Sequence, residues 1–265
     1  MSDDWKMISN HADRFSLGGQ VALVLGGSSG IGREIALGFH EAGATVVPVG
    51  RTASKVAEVD AALAARGAKI KGYSVDVTDP EQLAHVIART IAELGRIDVL
   101  VNSQGITILK PAESFTRADY DVLLATNLTS VFFACLETGK HMLERGSGCI
   151  VNIASLAAHR GFQLSALYTM SKHAVLGLTR TLAAEWAARG VRVNAISPGF
   201  FMTALNEGKM STARKETALR RTPMHRFGKL EELVGAAIYL ASPASSFVTG
   251  ESIAVDGGFL AAGLD

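Results

Sequence analysis

Short apolar runs alternate with longer amphipathic segments along most of this 265-residue chain. The runs are apolar without alternation and mostly rich in Val and Ile, which is typical of strands buried on both faces. Between them, apolar residues recur three and four positions apart, which predicts helices. The predicted strands are 21–25, 45–49, 70–74, 97–101, 149–153, 191–196 and 252–255, and the predicted helices are 30–42, 54–66, 80–94, 117–144, 165–189 and 230–241.

This repeated strand and helix order predicts an α/β fold with a parallel sheet, because parallel neighbours need a crossover connection. We expect a doubly wound, seven-stranded sheet with helices on both faces. No linker or repeat divides the chain, so we predict one domain over residues 19–265 after a loose arm at 1–18. Residues 200–228 do not follow this alternation of strands and helices and are predicted to form a substrate lid.

Charge and cysteine content narrow the classes of function. Lys and Arg number 26 against 25 Asp and Glu, so the net charge of +1 draws neither nucleic acid nor an anionic membrane. Two cysteines, Cys135 and Cys149, without metal-ligand spacing favour a reducing compartment, a role in the core and no metal site. Residues 1–15 do not resemble a signal peptide, and no stretch approaches ~18 continuous apolar residues. We expect a cytoplasmic protein that has no nucleic-acid or membrane partner.

A glycine-rich loop follows the first predicted strand and opens the first predicted helix. A helix N-terminus offers unpaired N–H groups, and glycines let a pyrophosphate approach the main chain. A tight turn would use the same residue types, but the strand before and the helix after favour a dinucleotide site. The predicted cofactor contacts in this loop are Gly26, Ser28, Ser29, Gly30, Ile31 and Gly32.

The end of the second predicted strand bears on the choice of cofactor. An NAD-selective site would place an acid here for the ribose 2′-hydroxyl, whereas this chain has Arg51 and Thr52. An arginine meets a 2′-phosphate with charge-assisted hydrogen bonds, so we favour NADP(H) over NAD(H). The alternative is a solvated loop arginine. Asp76 and Val77, just past the third predicted strand, are expected beside the adenine.

Tyr168 and Lys172 stand four apart in a predicted helix and therefore share one face. Ser155 lies just past a predicted strand, at the carboxyl edge of the sheet where ligands bind in this architecture. A phenol of pKa ~10 exchanges protons poorly near neutrality, and a nearby ammonium favours its phenolate. Taken alone, the pair would indicate an amphipathic helix with a lysine whose amine reaches solvent. Together with Ser155, the pair of Tyr168 and Lys172 predicts a catalytic site.

These motifs, taken in order, resemble the short-chain dehydrogenase/reductase family over nearly the whole chain. The resemblance implies a Rossmann fold and an NAD(P)-dependent oxidoreductase. It also implies that Tyr168 is the general acid/base, Ser155 bonds the substrate oxygen, Lys172 binds the nicotinamide ribose and Asn127 holds a relay water. Further cofactor contacts are implied by the same family pattern. The matching positions are Gly26–Gly32, Asp76, Asn102, Gly105, Asn127, Ser155, Tyr168–Lys172, Asn194, Pro198, Gly199, Thr203 and Val255–Gly258, of which Asn102, Gly105, Tyr168, Lys172, Pro198, Gly199 and Thr203 add to the expected cofactor contacts.

The chain departs from the family pattern at two places. Leu25 stands where Thr is usual before the glycine loop, and Ser103-Gln104 stand where Asn-Ala is usual. Neither change removes a reacting group. We therefore expect activity to survive, with a modest effect of Gln104 on cofactor affinity.

The expected substrate is a small, anionic carbonyl or alcohol compound. Residues 201–229 contain seven basic and two acidic side chains, a net charge of +5, which either lies on a solvated helix face or attracts an anion. His159, Arg160 and Gln163, between Ser155 and Tyr168, are candidate substrate contacts. We favour a sugar acid or polyol, as in a gluconate 5-dehydrogenase-like branch. The alternatives are a 3-oxoacyl carrier-protein reductase and a nucleotide-sensing module without turnover.

The resemblance also implies a homodimer or homotetramer. Family members pair through the two long helices, here predicted at 117–144 and 165–189. Apolar runs on both helices and an apolar tail at 259–264 agree with burial between subunits.

Overall fold

The computed structural model describes residues 11–202 and 211–262. Its centre is one seven-stranded sheet in the order β3-β2-β1-β4-β5-β6-β7, and every neighbouring pair of strands is parallel. The doubly wound fold predicted from the sequence is therefore confirmed. The strands are β1 Val21–Leu25, β2 Thr45–Gly50, β3 Tyr73–Ser74, β4 Val99–Asn102, β5 Gly148–Ile153, β6 Val191–Pro198 and β7 Ser252–Val255.

Helices cover both faces of the sheet and bury its apolar side chains. On one face α3, α5 and α6 pack in one large cluster, and on the other α1 and α8 pack in a second, with α2 against α1. Central strands read as continuous apolar runs because both of their faces are covered. The helices are α1 Gly30–Glu41, α2 Ala53–Ala64, α3 Pro80–Leu94, α4 Arg117–Leu124, α5 Ser130–Arg145, α6 Ala166–Trp186, α7 Thr212–Arg221 and α8 Val234–Ala241.

The third strand is shorter than the predicted 70–74 and comprises only Tyr73 and Ser74. Two local causes are visible. The N–H of Gly72 donates to the side chain of Asp60 at 2.8 Å instead of to the sheet. Pro48, in the adjacent stretch of β2, has no N–H to offer a partner. Pairing therefore begins only at Val49 and Tyr73.

The helix predicted over 117–144 is interrupted by a π-helical turn at Ala125–Thr129. This turn contains Asn127, whose fully buried side chain bonds the main chain of a neighbouring loop. Insertions of this kind are frequent at functional sites. The helix predicted at 230–241 likewise starts as a 3₁₀ turn, Leu230–Leu233, before α8.

Residues 11–18 are not the loose arm expected from the sequence. Arg14 donates to the carbonyl of Pro243 at 3.2 Å, and the ring of Phe15 lies 6.3 Å from that of Tyr239. Leu17 is fully buried. The described part of the arm is thus packed against the domain through the α8 region, while residues 1–10 lie outside the described range.

Both cysteines lie in the core, as predicted from the sequence. Cys135 and Cys149 are buried and not joined in a disulfide. Burial raises the pKa of the Cys135 thiol to about 12, so it stays protonated near neutrality. Among residues 11–202 and 211–262, no three or more His, Cys, Asp and Glu residues form a group able to hold a metal ion.

By length and composition alone, the helical segment from Arg117 to Arg145 is apolar enough to cross a membrane. In the fold, 44% of its apolar window is buried inside the protein. The same composition is found in the core helices of soluble proteins, so this property by itself is weak support for a membrane span.

Candidate active site

A cleft of about 470 Å³ opens where the strand order reverses between β1 and β4. Open α/β sheets bind ligands at this switch point, beside the carboxyl ends of the strands. Most of the residues predicted from the sequence meet here. They are Gly26, Ser28, Ser29, Gly30, Ile31, Arg51, Thr52, Asp76, Val77, Gly105, Ser155, Tyr168, Lys172, Pro198 and Gly199.

The glycine loop is packed so closely that a side chain would not fit at Gly26, Gly27 or Gly32. Gly26 has a φ of +76°, and a Cβ there would lie 2.7 Å from the main-chain nitrogen of Gln104. A Cβ at Gly32 would lie 2.3 Å from the carbonyl oxygen of Gly26. Gly32 thus supports the loop from the first turn of α1 without lining the cleft.

Helix α1 begins in this loop with its first N–H groups open to a ligand. Ser29 is the N-cap residue, and its side chain makes no capping hydrogen bond. Unpaired N–H groups and the positive end of the helix dipole favour an anion at this position. The loop therefore fits the pyrophosphate of a dinucleotide.

The adenosine end of the cleft carries two cations and two hydroxyls. Arg51 and Thr52 line it between β2 and α2, as predicted, and Ser28 faces them from the glycine loop. A Cβ at Gly50 would lie 1.9 Å from the Oγ of Ser28, so glycine makes room for this hydroxyl. Lys55, in the first turn of α2, also lines the cleft and was missed in the sequence. The sequence feature that could have identified Lys55 is a second basic residue four positions after Arg51.

Lys172 is the buried cation of the site. Helix α6 places it one turn after Tyr168, with its Nζ 5.8 Å from the centre of the tyrosine ring. The side chain is only 4% exposed, and the ammonium donates to the carbonyl of Ile153 at 2.8 Å. Burial lowers the pKa of Lys172 to about 8. The end of β5 therefore fixes this ammonium beside the phenol.

Ser155 and Tyr168 both line the cleft. Ser155 follows β5 and accepts a hydrogen bond from the N–H of Ala157 at 3.1 Å, which fixes its hydroxyl. Burial raises the pKa of the Tyr168 phenol, and a hydrogen bond with Ser155 partly offsets that rise. Without ligands the phenol is therefore protonated near neutrality, the state that donates a proton to a carbonyl oxygen.

Asn127 positions the loop after β4. Its Oδ1 accepts from the N–H of Ile106 at 2.8 Å, and its Nδ2 donates to the carbonyl of Ile106 at 2.9 Å. Gly105 lies between this amide and Lys172, since a Cβ there would be 3.6 Å from Oδ1 of Asn127 and 3.8 Å from Nζ of Lys172. Asn127 itself does not line the cleft. The π turn thus acts on the cleft through the loop.

Four other predicted residues are directed elsewhere. Asn102 donates from Nδ2 to Oδ1 of Asn152 at 2.8 Å, so its side chain joins β4 to β5 instead of entering the cleft. His159 bonds Ser197, Arg160 donates to the carbonyl of Leu260, and Gln163 is exposed. The three candidate substrate contacts do not line the cleft. The remaining prediction, Thr203, lies outside the described residues.

The second departure from the family pattern has a local partner. Gln104 is 7% exposed and donates from Nε2 to Oγ of Ser130 at 3.1 Å, at the start of α5. Ser130 in turn donates to the carbonyl of Thr126 in the π turn at 2.7 Å. Gln104 thereby ties the loop after β4 to the turn that holds Asn127.

Comparison with known proteins agrees with this geometry. Residues 26–260 match the family described as Enoyl-(Acyl carrier protein) reductase. The chain is 40% identical over 250 residues to the gluconate 5-dehydrogenase of Gluconobacter oxydans, covering 94% of this chain and 98% of the relative. It is 41% identical over 249 residues to the 2-dehydro-3-deoxy-D-gluconate 5-dehydrogenase of Bacillus subtilis, covering 94% and 97%.

A solved structure with the same fold is that of a gluconate 5-dehydrogenase from Burkholderia cenocepacia in complex with NADP and tartrate. It is 37% identical to this chain, with a TM-score of 0.92 and coverage of 96% of this chain and 100% of that one. The fold of this chain therefore agrees with that of the solved structure over nearly the whole length of both chains. The chain belongs to the short-chain dehydrogenase/reductase family and is an NAD(P)-dependent oxidoreductase.

Proposed function

We propose that this enzyme uses NADP(H) to interconvert a secondary alcohol and a ketone on a sugar acid or polyol. The observation that carries the proposal is the meeting of Ser155, Tyr168 and Lys172 with a dinucleotide-binding loop in one cleft. A nicotinamide nucleotide supplies or accepts the hydride of such a reaction. The protein then has to hold the substrate oxygen and move one proton.

Each of these side chains has a task that its position explains. Ser155 donates a hydrogen bond to the substrate oxygen, and Tyr168 gives that oxygen its proton in reduction or removes it in oxidation. The ammonium of Lys172 stabilises the phenolate that is left behind, because opposite charges attract strongly where water is excluded. Asn127 keeps the loop beside this pair in place through Ile106.

The preference for NADP(H) over NAD(H) rests on the cations at the adenosine end. Arg51 and Lys55 line that part of the cleft together with the hydroxyls of Ser28 and Thr52. Two cations and two hydroxyls suit a 2′-phosphate, to which arginine makes charge-assisted bonds.

Replacing the arginine tests this preference. Arg51→Ala should weaken NADPH binding about tenfold or more, as expected for losing a charge-assisted bond, and leave NADH binding nearly unchanged. Lys69→Ala, which removes an exposed cation outside the cleft, is the matched control. Equal losses for both nucleotides would show that the arginine only supports the loop.

The substrate class rests on the relatives and on charge. The two curated relatives described above are named for gluconate-type sugar acids, and residues 201–229 carry a net charge of +5. Part of this charge is neutralised, since Arg226 pairs with Glu232 at 2.6 Å. The basic segment would also suit a 3-oxoacyl group on an acidic carrier protein, which is the alternative substrate.

A reductase assay decides between these substrates. NADPH loss is measured with 5-keto-gluconate, other keto sugar acids, simple diketones and an acetoacetyl thioester, with Tyr168→Phe as the control. Turnover of a keto sugar acid that Tyr168→Phe abolishes is the expected result. Turnover of the thioester alone would favour the acyl alternative. Tight NADPH binding without any turnover would point to a carbonyl substrate outside this panel.

We also propose that the protein forms a homodimer or homotetramer in the cytoplasm. Apolar side chains are exposed on α4, α5 and α6, and large exposed apolar areas mark protein interfaces. Phe133→Glu should therefore reduce the molar mass measured by light scattering, while Lys69→Glu, which changes an exposed residue outside these helices, is the control. An unchanged mass in Phe133→Glu would contradict this interface. The exposed side chains are Tyr120, Val122, Phe132, Phe133 and Met170.

A further inference from the structure

Three phenylalanines from distant parts of the chain form a cluster, which we call the aromatic cluster. The rings of Phe162 and Phe259 are stacked with centroids 6.0 Å apart, and Phe200 meets Phe259 edge-on at 5.4 Å. Phe162 and Phe200 are themselves 6.3 Å apart. The two shortest separations both involve Phe259, which is only 5% exposed, whereas the other two rings are partly exposed. Phe259 is therefore the central member of the cluster.

Two members of the cluster belong to segments that carry the active site. Phe162 lies in the segment between Ser155 and Tyr168, and Phe200 directly follows Gly199, which lines the cleft. Phe259 lies beyond β7, close to the end of the described chain. Through it, the C-terminal part of the chain holds together two segments that flank the catalytic groups.

Residues 256–262, which we call the C-terminal turn, hold Phe259 in a fixed direction. The carboxylate of Asp256 accepts from the N–H of Gly258 at 2.9 Å and from that of Leu260 at 2.8 Å. Gly258 has a φ of +90°, which glycine adopts without strain. The residue between these two bonded N–H groups is Phe259, so its ring direction is set by the turn.

The C-terminal turn is also hydrogen-bonded to the segment before Tyr168 and to the chain just after α7. Arg160 donates from Nη2 to the carbonyl of Leu260 at 3.1 Å, and the N–H of Met224 donates to the carbonyl of Gly257 at 3.1 Å. The guanidinium of Arg221, at the end of α7, lies 6.0 Å from the ring centre of Phe259. One short turn thus contacts the segment before Tyr168, the segment after Gly199 and the end of α7.

We propose that Phe259 is a positioning residue for substrate binding, which holds the segments of Phe162 and Phe200 at the distance that the substrate requires. Phe259 does not line the cleft, so its loss should act on the substrate and leave the cofactor bound. A loop released from packing must be ordered again when substrate binds, and this ordering lowers affinity. The proposal rests on the reductase activity proposed above.

Kinetics of Phe259→Ala, with Phe259→Tyr as the rescue and Phe247→Ala as the control, test this role. Phe247 is fully exposed and belongs to the same C-terminal region. For the ketone that the parent reduces, Phe259→Ala should raise KM about tenfold and change kcat by less than about threefold. The dissociation constant of NADPH should change by less than about twofold. Phe259→Tyr and Phe247→Ala should behave like the parent.

Other results would overturn the proposal. An unchanged KM, or a loss of NADPH affinity that parallels the rise in KM, would mean that Phe259 only supports the fold. If Phe259→Ala does not fold, Asp256→Ala decides the question, because it frees the N–H groups of Gly258 and Leu260 without removing a ring of the cluster. It should raise KM, whereas Asp256→Asn, which keeps one acceptor, should raise it less.

Limited trypsin digestion separates this proposal from the proposed function. Arg220 and Arg221 stand at the end of α7, next to the segment that contacts the C-terminal turn. In the NADPH-bound protein, Phe259→Ala should be cut there several-fold faster than the parent and than Phe247→Ala. Faster cutting in a protein that reduces no ketone would refute the proposed function alone. Equal cutting rates would refute the positioning role.

Discussion

Replacing Lys172 by Met should stabilise the protein at pH 7 even though it removes a catalytic group. Burial lowers the pKa of Lys172 from 10.5 to about 8, a difference of about 2.5 units. At 1.36 kcal/mol per unit, keeping this ammonium charged in the fold costs about 3 kcal/mol. The variant also loses the hydrogen bond to Ile153, which lowers its free energy of unfolding by about 1.5–3 kcal/mol. The net stabilisation expected for Lys172→Met is therefore about 1 kcal/mol.

The pH dependence of the difference provides the sharper test. Between pH 8 and 10.5 the unfolded parent binds a proton at Lys172 that the folded parent does not, so the parent's free energy of unfolding rises with pH. Methionine does not titrate. The advantage of the variant should therefore shrink from pH 8 upward and reverse by pH 10.5, a change of about 3 kcal/mol in total.

Urea unfolding of both proteins without cofactor, at pH 7, 8.5 and 10, measures this difference. Both must be compared at one protein concentration, because assembly also stabilises the fold. Other titrating groups are shared by the two proteins and cancel in the difference. A variant less stable than the parent at pH 7 by more than about 1 kcal/mol, or a difference that stays constant with pH, would refute the reasoning.

Three further substitutions test single contacts of the site and its support. Gln104→Ala removes one hydrogen bond to Ser130 and should leave turnover similar to that of the parent. The affinity for NADPH, measured by fluorescence titration, should fall about threefold or less. Complete loss of activity would contradict this prediction. Asn127→Ala frees the loop at Ile106 and should lower the rate constant of reduction in single-turnover assays about 10²-fold. An unchanged rate constant would mean that other contacts hold the loop. Asp98→Ala leaves two arginines and a main-chain N–H without their carboxylate, and should lower the free energy of unfolding in urea by about 3 kcal/mol. Because these partners lower the pKa of Asp98 despite its burial, the parent should lose this stability as pH falls below about 4.

The parts of the site that sequence reasoning predicted are those that follow from regular local structure. Tyr168 and Lys172 meet because residues four apart share a helix face. Ser155 joins them because parallel strands end at one edge of a sheet. The glycine loop can be identified from the sequence because a predicted strand precedes it and a predicted helix follows it. In each case a short stretch of sequence, together with the sheet topology, determines the position.

The parts that sequence reasoning missed depend on contacts between distant residues. Arg160 stands beside the catalytic segment, but its guanidinium meets the carbonyl of Leu260, 100 residues further along the chain. His159 similarly turns to Ser197 on β6. Proximity along the chain shows which loop a side chain belongs to, but not which way the loop turns it. The π turn at Asn127 is set by its bonds to Ile106 and could not be read from helical periodicity.

Different contacts hold the catalytic groups and the segments that flank the substrate. Residues that determine proton transfer are therefore separate from residues that determine the choice of substrate. Lys172 is held by the carbonyl of Ile153, and Asn127 by the main chain of Ile106. Ile153 is the last residue of β5 and Ile106 lies in the loop after β4, and both strands are paired on both sides. Besides a main-chain bond from Gly228 to the carbonyl of Phe200, the segments that carry Phe162 and Phe200 are held by ring contacts with the C-terminal turn. Substitutions there can change the substrate without displacing the proton-transfer groups, so the choice among carbonyl substrates should be sought in the aromatic cluster.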